Sequence, residues 1–460
     1  MTYLLSGLWS YTILLLCLNS NNIGSLALSL PDSHTCVIGA GYCGLAVSRY
    51  LKEFGVNFTV FEASKHVGGT WRFDPHVGLD EDGIPVLTSM YKYLRTNTPR
   101  QTMEFGGFPF PDSAPSYPTG TCFYKYLQSF VKHFNLMPNI HLRSFVTSVK
   151  WIDHHWEVSY TQTEDRSNHT VSCDFVIIAN GQYVRPLMPS FSGQDIFNGS
   201  IIHSHDYREP ETYKGRRVLL VGAGPSGLDL AGQLHNITDK LFHSHHLVYN
   251  QPKFSEHYFK KPDIEAFTMD GVVFKDGTLE EVDDVIFCTG YEFYHPFLDK
   301  SCGLTVSGKF ILPLHQNIVN IRHPSMSFIG VVNKVINRVM DAQAEYVASL
   351  IAGKFKLPSQ EEMLKIWLAH VYKLQNEHKK IIDVNTVGSE MDQYFANLTM
   401  EAGVTRAPPV LTKIRDFNAK NRLEDLLNYR DYDYEIVDSN NYKRWYNGGG
   451  ERAQECPIEL

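Results

Sequence analysis

The chain has no excess of positive charge, and that absence narrows the field first. Its 460 residues carry 42 Lys and Arg against 50 Asp and Glu, a formal net charge of -8. No basic run and no basic patch interleaved with aromatics occurs, which argues against nucleic acid as a partner. Long apolar runs are also scarce. Leu4 to Leu18 is almost uncharged but too short to span a bilayer comfortably, and no later segment reads as a span, so stable membrane insertion is not expected. Ser25-Leu26-Ala27 behind that run offers a small-x-small cleavage pattern, so residues 1–27 read as a signal peptide. No Lys or Arg precedes the run, which leaves a retained anchor as the alternative. The expected location is extracellular body fluid, with the endoplasmic reticulum lumen as the second choice. The C-terminus, from Tyr446 on, is polar and has neither a hydrophobic tail nor a retention signal.

Closely spaced cysteines are missing too. Outside the leader the cysteines are Cys36, Cys43, Cys122, Cys173, Cys288, Cys302 and Cys456, scattered and odd in number, which reads as no disulfide framework. Sequons at Asn57, Asn168, Asn198, Asn236 and Asn397 permit secretion, with Asn168 the best placed. No Ser/His/Asp triad, carboxylate pair or metal-ligand spacing stands out. The neighbouring pairs His154-His155 and His245-His246 would point to opposite faces of a strand, so no metal is expected.

What is present is organised around His34 to Trp71. Thr35 to Ile38 reads as a buried strand, followed by Gly39, Ala40, Gly41, Tyr42, Cys43 and Gly44 as G-x-G-x-x-G. Cys43, Val47, Tyr50, Leu51 and Phe54 then recur at helical spacing. A second strand, Phe58 to Phe61, ends on Glu62, about 20 residues on, where an acid can accept hydrogen bonds from a ribose. The glycines serve a tight turn, close approach to a pyrophosphate, and helix-on-strand packing. The helix start supplies free N–H groups for the phosphates. An acid at that position favours FAD or NAD over NADP.

A second signature follows. Arg217 to Val221 reads as a strand; Gly222, Gly224, Pro225, Ser226 and Gly227 belong to G-A-G-P-S-G; Leu228 to Leu234 continues as a helix. The next strand, Leu241 to His243, ends on Ser244, His245 and His246 instead of an acid. Without a carboxylate to repel it, a 2′-phosphate can be received there, so this site reads as NADP-type. Between the signatures, Arg72 to Pro118 reads as irregular connection, Tyr124 to Phe134 as a helix, and Phe145 to Trp151 with Trp156 to Tyr160 as antiparallel strands. Val176 to Asn180 and Asp284 to Cys288 read as strands, and Met340 to Ile351 and Ser359 to Leu374 as helices. Paired acid-ended and acid-free sites imply a nicotinamide that delivers hydride and a flavin that accepts it. A flavin disulfide reductase would need a cysteine close to Cys43, and an oxidase would not need the second unit. Monooxygenation remains.

Phe197, Gly199, His203 and Tyr207 fall in F-x-G-x-x-x-H-x-x-x-Y, which resembles the identifying motif of flavin-containing monooxygenases. Gly68-Gly69-Thr70-Trp71 is similar to the family's flavin contact, and Cys288-Thr289-Gly290-Tyr291 to its linker, with Cys for Ala. Asp341 to Gln343 and Leu357 to Ser359 also have family parallels. Tyr207-Arg208 stands where ketone-oxidising relatives carry Trp followed by Pro or Asp. The chain resembles most the secreted insect members, which N-oxygenate pyrrolizidine alkaloids such as senecionine. His245 and His246 depart from the vertebrate pattern, which leaves NADPH-over-NADH preference open.

The resemblance implies that NADPH reduces FAD, that oxygen adds at flavin C4a, and that a tertiary amine or sulfide takes the distal oxygen of the C4a-hydroperoxide. By the same resemblance Asn97, in Leu94-Arg95-Thr96-Asn97-Thr98-Pro99, is the catalytic residue beside flavin and nicotinamide, flanked by Thr96 and Thr98. Val149 is implied as a backbone contact to adenine, and Gly69, Thr70 and Trp71 as flavin contacts. Broad xenobiotic N- or S-oxidation, an NADPH oxidase releasing hydrogen peroxide, and an alkaloid binder are the rival readings. A homo-oligomer is neither indicated nor opposed. The expected fold is α/β with two Rossmann-like domains: a discontinuous FAD domain (28–182 and 285–440), an inserted NADPH domain (183–284), and a polar tail (441–460).

Overall fold

The computed structural model describes residues 33–449 and 454–460, so the expected signal segment lies outside the described residues. The chain begins with β1 (His34–Ile38), α1 (Tyr42–Glu53) and β2 (Asn57–Phe61), then α2 (Gly120–His133) and β3 (Ile140–His141). An antiparallel sheet follows, β4 (Ser144–Ile152), β5 (His155–Gln162) and β6 (Asn168–Cys173), and then β7 (Phe175–Ile178). A second unit holds β8 (Ser200–His203), β9 (Arg217–Val221), α3 (Pro225–Leu234), β10 (Lys240–Ser244), β11 (Tyr258–Lys261) and β12 (Asp284–Phe287). The chain then returns through β13 (Leu314–His315), β14 (Val319–Asn320), β15 (Met326–Phe328), α4 (Asn337–Ile351), α5 (Gln360–Asn376), α6 (Met391–Ala402) and α7 (Val410–Glu424). It closes with the hairpin β16 (Tyr432–Ile436) and β17 (Tyr442–Tyr446).

Two sheets carry the site. The first has the order β13-β14-β15-β7-β1-β2-β3, parallel from β15 to β3, and takes strands from both sides of the second unit. The second is the wholly parallel β11-β10-β9-β12-β8. Their central strands, T-C-V-I in β1 and V-L-L in β9, are buried throughout, as strands covered on both faces must be. In α1 the buried face is Leu45, Ala46, Val47, Tyr50 and Leu51, at helical spacing. Ser359 caps α5 by accepting from the Glu362 N–H while the Glu362 carboxylate accepts from the Ser359 N–H, which explains the helix start there.

Two expectations need correcting. Four of the scattered cysteines are paired, as Cys36–Cys173 and Cys122–Cys456; Cys43, Cys288 and Cys302 are free. The partners lie 137 and 334 residues apart, so nothing in local spacing could reveal them. The segment 441–460 is also no loose polar tail. It supplies β17, its Cys456 is bonded to the first turn of α2, and Ile458 is buried. Arg72 to Pro118 is irregular as expected, with only a short 3-10 turn at Arg100–Thr102.

Candidate functional site

Each parallel sheet ends its first strand in the same construction. Gly39 and Gly222 turn the chain with φ of +100° and +101°, a region that disfavours side chains. A Cβ on Gly44 would stand 1.9 Å from the Gly39 carbonyl oxygen, and one on Gly227 1.9 Å from that of Gly222. These glycines let α1 and α3 sit directly on their strands. Gly41 and Gly224 are the caps of the two helices, and neither helix start is closed by a side chain. Free N–H groups and the positive end of the helix dipole face outward there. A Cβ on Gly224 would enter open space, and Gly41 faces only the backbone of Gly69, at 3.6 Å. Both starts therefore fit the close approach of a pyrophosphate.

The first site gathers further groups around that start. The Gly68 N–H donates to the Ala40 carbonyl at 2.9 Å, which lays Gly69, Thr70 and Trp71 beside the G-A-G turn. The Trp71 ring rests on Phe123 of α2, with centroids 4.2 Å apart. Glu62 is buried, and its carboxylate accepts the Ala40 N–H at 2.7 Å and the Ser64 N–H at 2.9 Å. Burial pushes its pKa up against those hydrogen bonds. Each oxygen keeps acceptor capacity for a ribose hydroxyl. Tyr42 and Cys43 turn their side chains inward: Tyr42 stacks on Phe105 at 4.2 Å, and the Cys43 thiol touches Met340. Only their backbone can serve a phosphate.

The Val149 backbone, the expected adenine contact, is engaged within the protein. Its N–H donates to the Phe297 carbonyl at 2.7 Å, its carbonyl accepts the Asp299 N–H at 3.0 Å, and its side chain is fully buried. Both backbone groups are already used. The nearby ladder shifts register between Val146 and Ser148, and Thr147, skipped by it, is exposed. A bulge of this kind leaves backbone groups unpaired.

At the second site a cavity of about 440 Å³ is lined by Gly222, Ala223, Ser244, His245, His246 and Asp263, among others. Ser244 donates its hydroxyl to the Pro262 carbonyl at 2.7 Å, so it can only accept from a ligand. His245 is buried; its Nδ1 accepts the Leu247 N–H at 3.1 Å, and its Nε2 has no partner among the described residues. With Nδ1 accepting, the neutral ring carries its proton on Nε2, which is itself buried and unpartnered among the described residues. Burial, helped by the nearby Lys260, holds its pKa down to about 4. Asp263 adds a carboxylate to the cavity rim, 2.7 Å from His246 Nε2 and 3.6 Å from Lys275 Nζ.

Asn97 lies on the irregular segment, half-buried, with its carbonyl accepting from the Asn418 side chain at 2.9 Å. Asn418 in turn accepts from the Tyr117 hydroxyl at 2.6 Å. Thr96 is buried with its hydroxyl unpartnered among the described residues, and Thr98 is half-buried. The Gly120 N–H donates to the Leu94 carbonyl at 2.9 Å, tying the segment to α2 and so to the Phe123–Trp71 contact. Asn418 and Arg430, which hold this segment, were missed from sequence; they lie more than 300 positions downstream with no motif around them.

The identifying motif is structural in its geometry. A Cβ on Gly199 would meet the Asp283 carbonyl at 2.5 Å, and the buried Tyr207 donates to Gln233 of the loop-side turn of α3 at 3.0 Å. His203 is buried at the end of β8, where its Nδ1 accepts the His205 N–H at 3.0 Å, and it packs in the second sheet.

Similarity to known proteins agrees with this geometry. Residues 32–247 and 255–415 match the family described as Flavin-binding monooxygenase-like. A senecionine N-oxygenase of Tyria jacobaeae is 46% identical over 97% of this chain and 99% of its own length. A trimethylamine monooxygenase of Pelagibacter ubique is 30% identical over 75% of this chain and 82% of its own. The structure of an S-allyl-L-cysteine S-oxygenase from Allium sativum superposes with a TM-score of 0.81 at 27% identity, covering 88% of this chain and 96% of that one. The chain belongs to the flavin-containing monooxygenases. It is an enzyme that uses FAD and NADPH. Among the described residues no helix is long and apolar enough to cross a membrane.

Proposed function

We propose that this protein N-oxygenates tertiary amines, with plant pyrrolizidine alkaloids such as senecionine as its substrates and detoxification as its role. The observation that carries the reading is the 46% identity to a senecionine N-oxygenase along nearly the whole of both chains. Two disulfides support an oxidising compartment, in keeping with secretion after removal of residues 1–27.

Reduced by NADPH, FAD supplies the electrons that activate oxygen. The protein's residues bind, orient and keep out water. The uncapped start of α1, with Gly39, Gly41 and Gly44, holds the FAD pyrophosphate; Glu62 takes the ribose; Gly69 to Trp71 border the flavin. The start of α3, with Gly222, Gly224, Pro225, Ser226 and Gly227, holds the NADPH pyrophosphate. Ser244 and His245, which line the cavity at the end of β10, border the 2′-phosphate. Asn97, between Thr96 and Thr98, offers an amide that can both donate and accept beside the flavin and nicotinamide. Its carbonyl bond to Asn418 fixes the backbone from which that amide projects.

The test measures NADPH consumption, hydrogen peroxide and N-oxide together on the mature protein, with and without senecionine. Mole-for-mole N-oxide with low peroxide is expected; peroxide equal to NADPH throughout would replace the reading with an oxidase. Asn97→Ala should keep FAD but divert NADPH into peroxide, by about tenfold or more over wild type. An unchanged product yield per NADPH in that variant would remove Asn97 from its role. Broad N- and S-oxidation is the second reading, favoured by the S-oxygenase among the structural relatives. Turnover of many unrelated sulfides without preference for senecionine would select it.

A further inference from the structure

The Asn97 segment is held from the far end of the chain by one guanidinium. Arg430 Nε donates to the Thr96 carbonyl at 3.0 Å and Nη2 to the Arg95 carbonyl at 3.3 Å. Arg95 returns the contact, donating to the Arg430 carbonyl at 2.8 Å. With Asn418 on the Asn97 carbonyl, three consecutive backbone carbonyls are gripped by side chains of α7 and the turn after it. The third arm of Arg430 leaves this unit. Its Nη1 pairs with Asp229 Oδ1 at 2.6 Å, and Asp229 sits on α3, just past Gly227 of the second glycine signature. The other Asp229 oxygen accepts the hydroxyl of the buried Tyr91. The ion pair is itself mostly out of water, the two side chains being 16% and 10% exposed. Breaking such a pair leaves an uncompensated charge, so its geometry is strongly enforced.

We propose that the Arg430–Asp229 pair is a positioning device that sets the Asn97 segment against α3, and so keeps the flavin-side and nicotinamide-side units in the register that coupled oxygenation needs. One planar group has bonds fixed in direction on both units, which a flexible lysine could not reproduce. A shift of α3 relative to the first sheet must stretch either the Asp229 bond or the two carbonyl bonds. Misplacement of a reacting group by about 1 Å can cost about 100-fold, so a fixed bridge of this kind matters to rate and coupling beyond its part in stability. The inference rests on the assignment of Asn97 above.

The experiment uses full-length holoenzyme carrying Asp229→Asn, Arg430→Lys or Arg430→Gln, and the double variant Asp229→Asn/Arg430→Gln. Two quantities are read: peroxide released per NADPH, with senecionine and then trimethylamine as probes, and the change NADP⁺ causes in the flavin absorption band. Each single variant should retain FAD, raise peroxide per NADPH about tenfold, and shrink the NADP⁺ difference spectrum. The double variant should be no worse than Arg430→Gln alone, because the two act as one unit. Asp229→Asn keeps the side-chain shape, so it remains informative if Arg430→Gln does not fold. A lowered melting temperature with both readouts at wild-type values would overturn the proposal and leave the pair purely structural. If the wild-type enzyme itself gives peroxide with every amine, the substrate reading above fails, and the NADP⁺ difference spectrum still decides this one.

Discussion

Replacing Gly224 and, separately, Gly227 by alanine should divide nucleotide affinity from stability within a single helix start. At Gly227 the new Cβ would lie 1.9 Å from the Gly222 carbonyl oxygen, a backbone atom that no rotamer change can move aside. The strand-to-helix turn must open by more than about 1 Å, at about 1–3 kcal/mol or more. That is a large part of the roughly 5–15 kcal/mol of a typical fold. At Gly224 the backbone is extended and the Cβ meets nothing within 4 Å. Alanine there gains about 0.4–1 kcal/mol from a less flexible unfolded chain. It loses a comparable amount, about 0.5 kcal/mol or more, as a poorer helix cap than glycine. The melting temperature should therefore hardly move. The added methyl would instead keep the pyrophosphate from the helix start and remove one hydrogen bond to a charged group, about 1.5–3 kcal/mol. This corresponds to a rise of roughly 10- to 150-fold in the KM for NADPH. FAD content should stay at wild type, because the first glycine signature is untouched. Thermal unfolding, flavin absorbance and initial NADPH oxidation rates decide the matter. A Gly224→Ala protein with reduced melting temperature and a KM within about twofold of wild type would refute the assignment of this helix start to the nucleotide.

Other outcomes follow from the disulfides and the buried histidines. Cys456→Ser opens a link that spans 334 residues, and should lower stability by about 2–4 kcal/mol, read as an earlier thermal transition. A transition at the wild-type temperature would mean that the C-terminal segment is held by its packing alone. His203, His243, His245 and His295 are held neutral by burial at about 4 against 6.5 in an open chain. The unfolded chain therefore binds more protons than the folded one between those values. Stability is full above pH 6.5 and falls as the pH drops toward 4, by up to about 1.4 kcal/mol per pH unit for each such group. Melting temperatures measured from pH 7.5 down to about pH 5 should decline steadily; a flat profile would mean that these rings gain compensating contacts when protonated.

Local pattern alone was enough to announce both nucleotide-binding turns. A strand of β-branched residues, glycines at fixed offsets and a helical stripe all lie within about 30 residues, and the backbone they require depends on those same residues. The acid at Glu62 and the acid-free stretch at Ser244 and His245 were legible as strand ends for the same reason, since each ends the strand next to its own turn. The motif Phe197, Gly199, His203 and Tyr207 was legible as a family mark, but its work turned out to be close packing, as Gly199 against Asp283 makes plain. What sequence could not supply was anything that depends on partners remote along the chain. Cys36–Cys173 and Cys122–Cys456 have no spacing rule, because the sheet and α2 bring them together only after folding. The engagement of the Val149 backbone was hidden for a related reason. Whether Val149 has free backbone groups is decided by Phe297 and Asp299, which pair with it from the far side of the inserted unit. Asn97 could be named, but the grip of Arg430 and Asn418 on its segment, and the tie from Arg430 to Asp229, belong to the tertiary structure. Glycine turns and strand ends are properties of a short stretch of chain; a hydrogen bond between residues hundreds of positions apart exists only once the rest of the fold has closed around it.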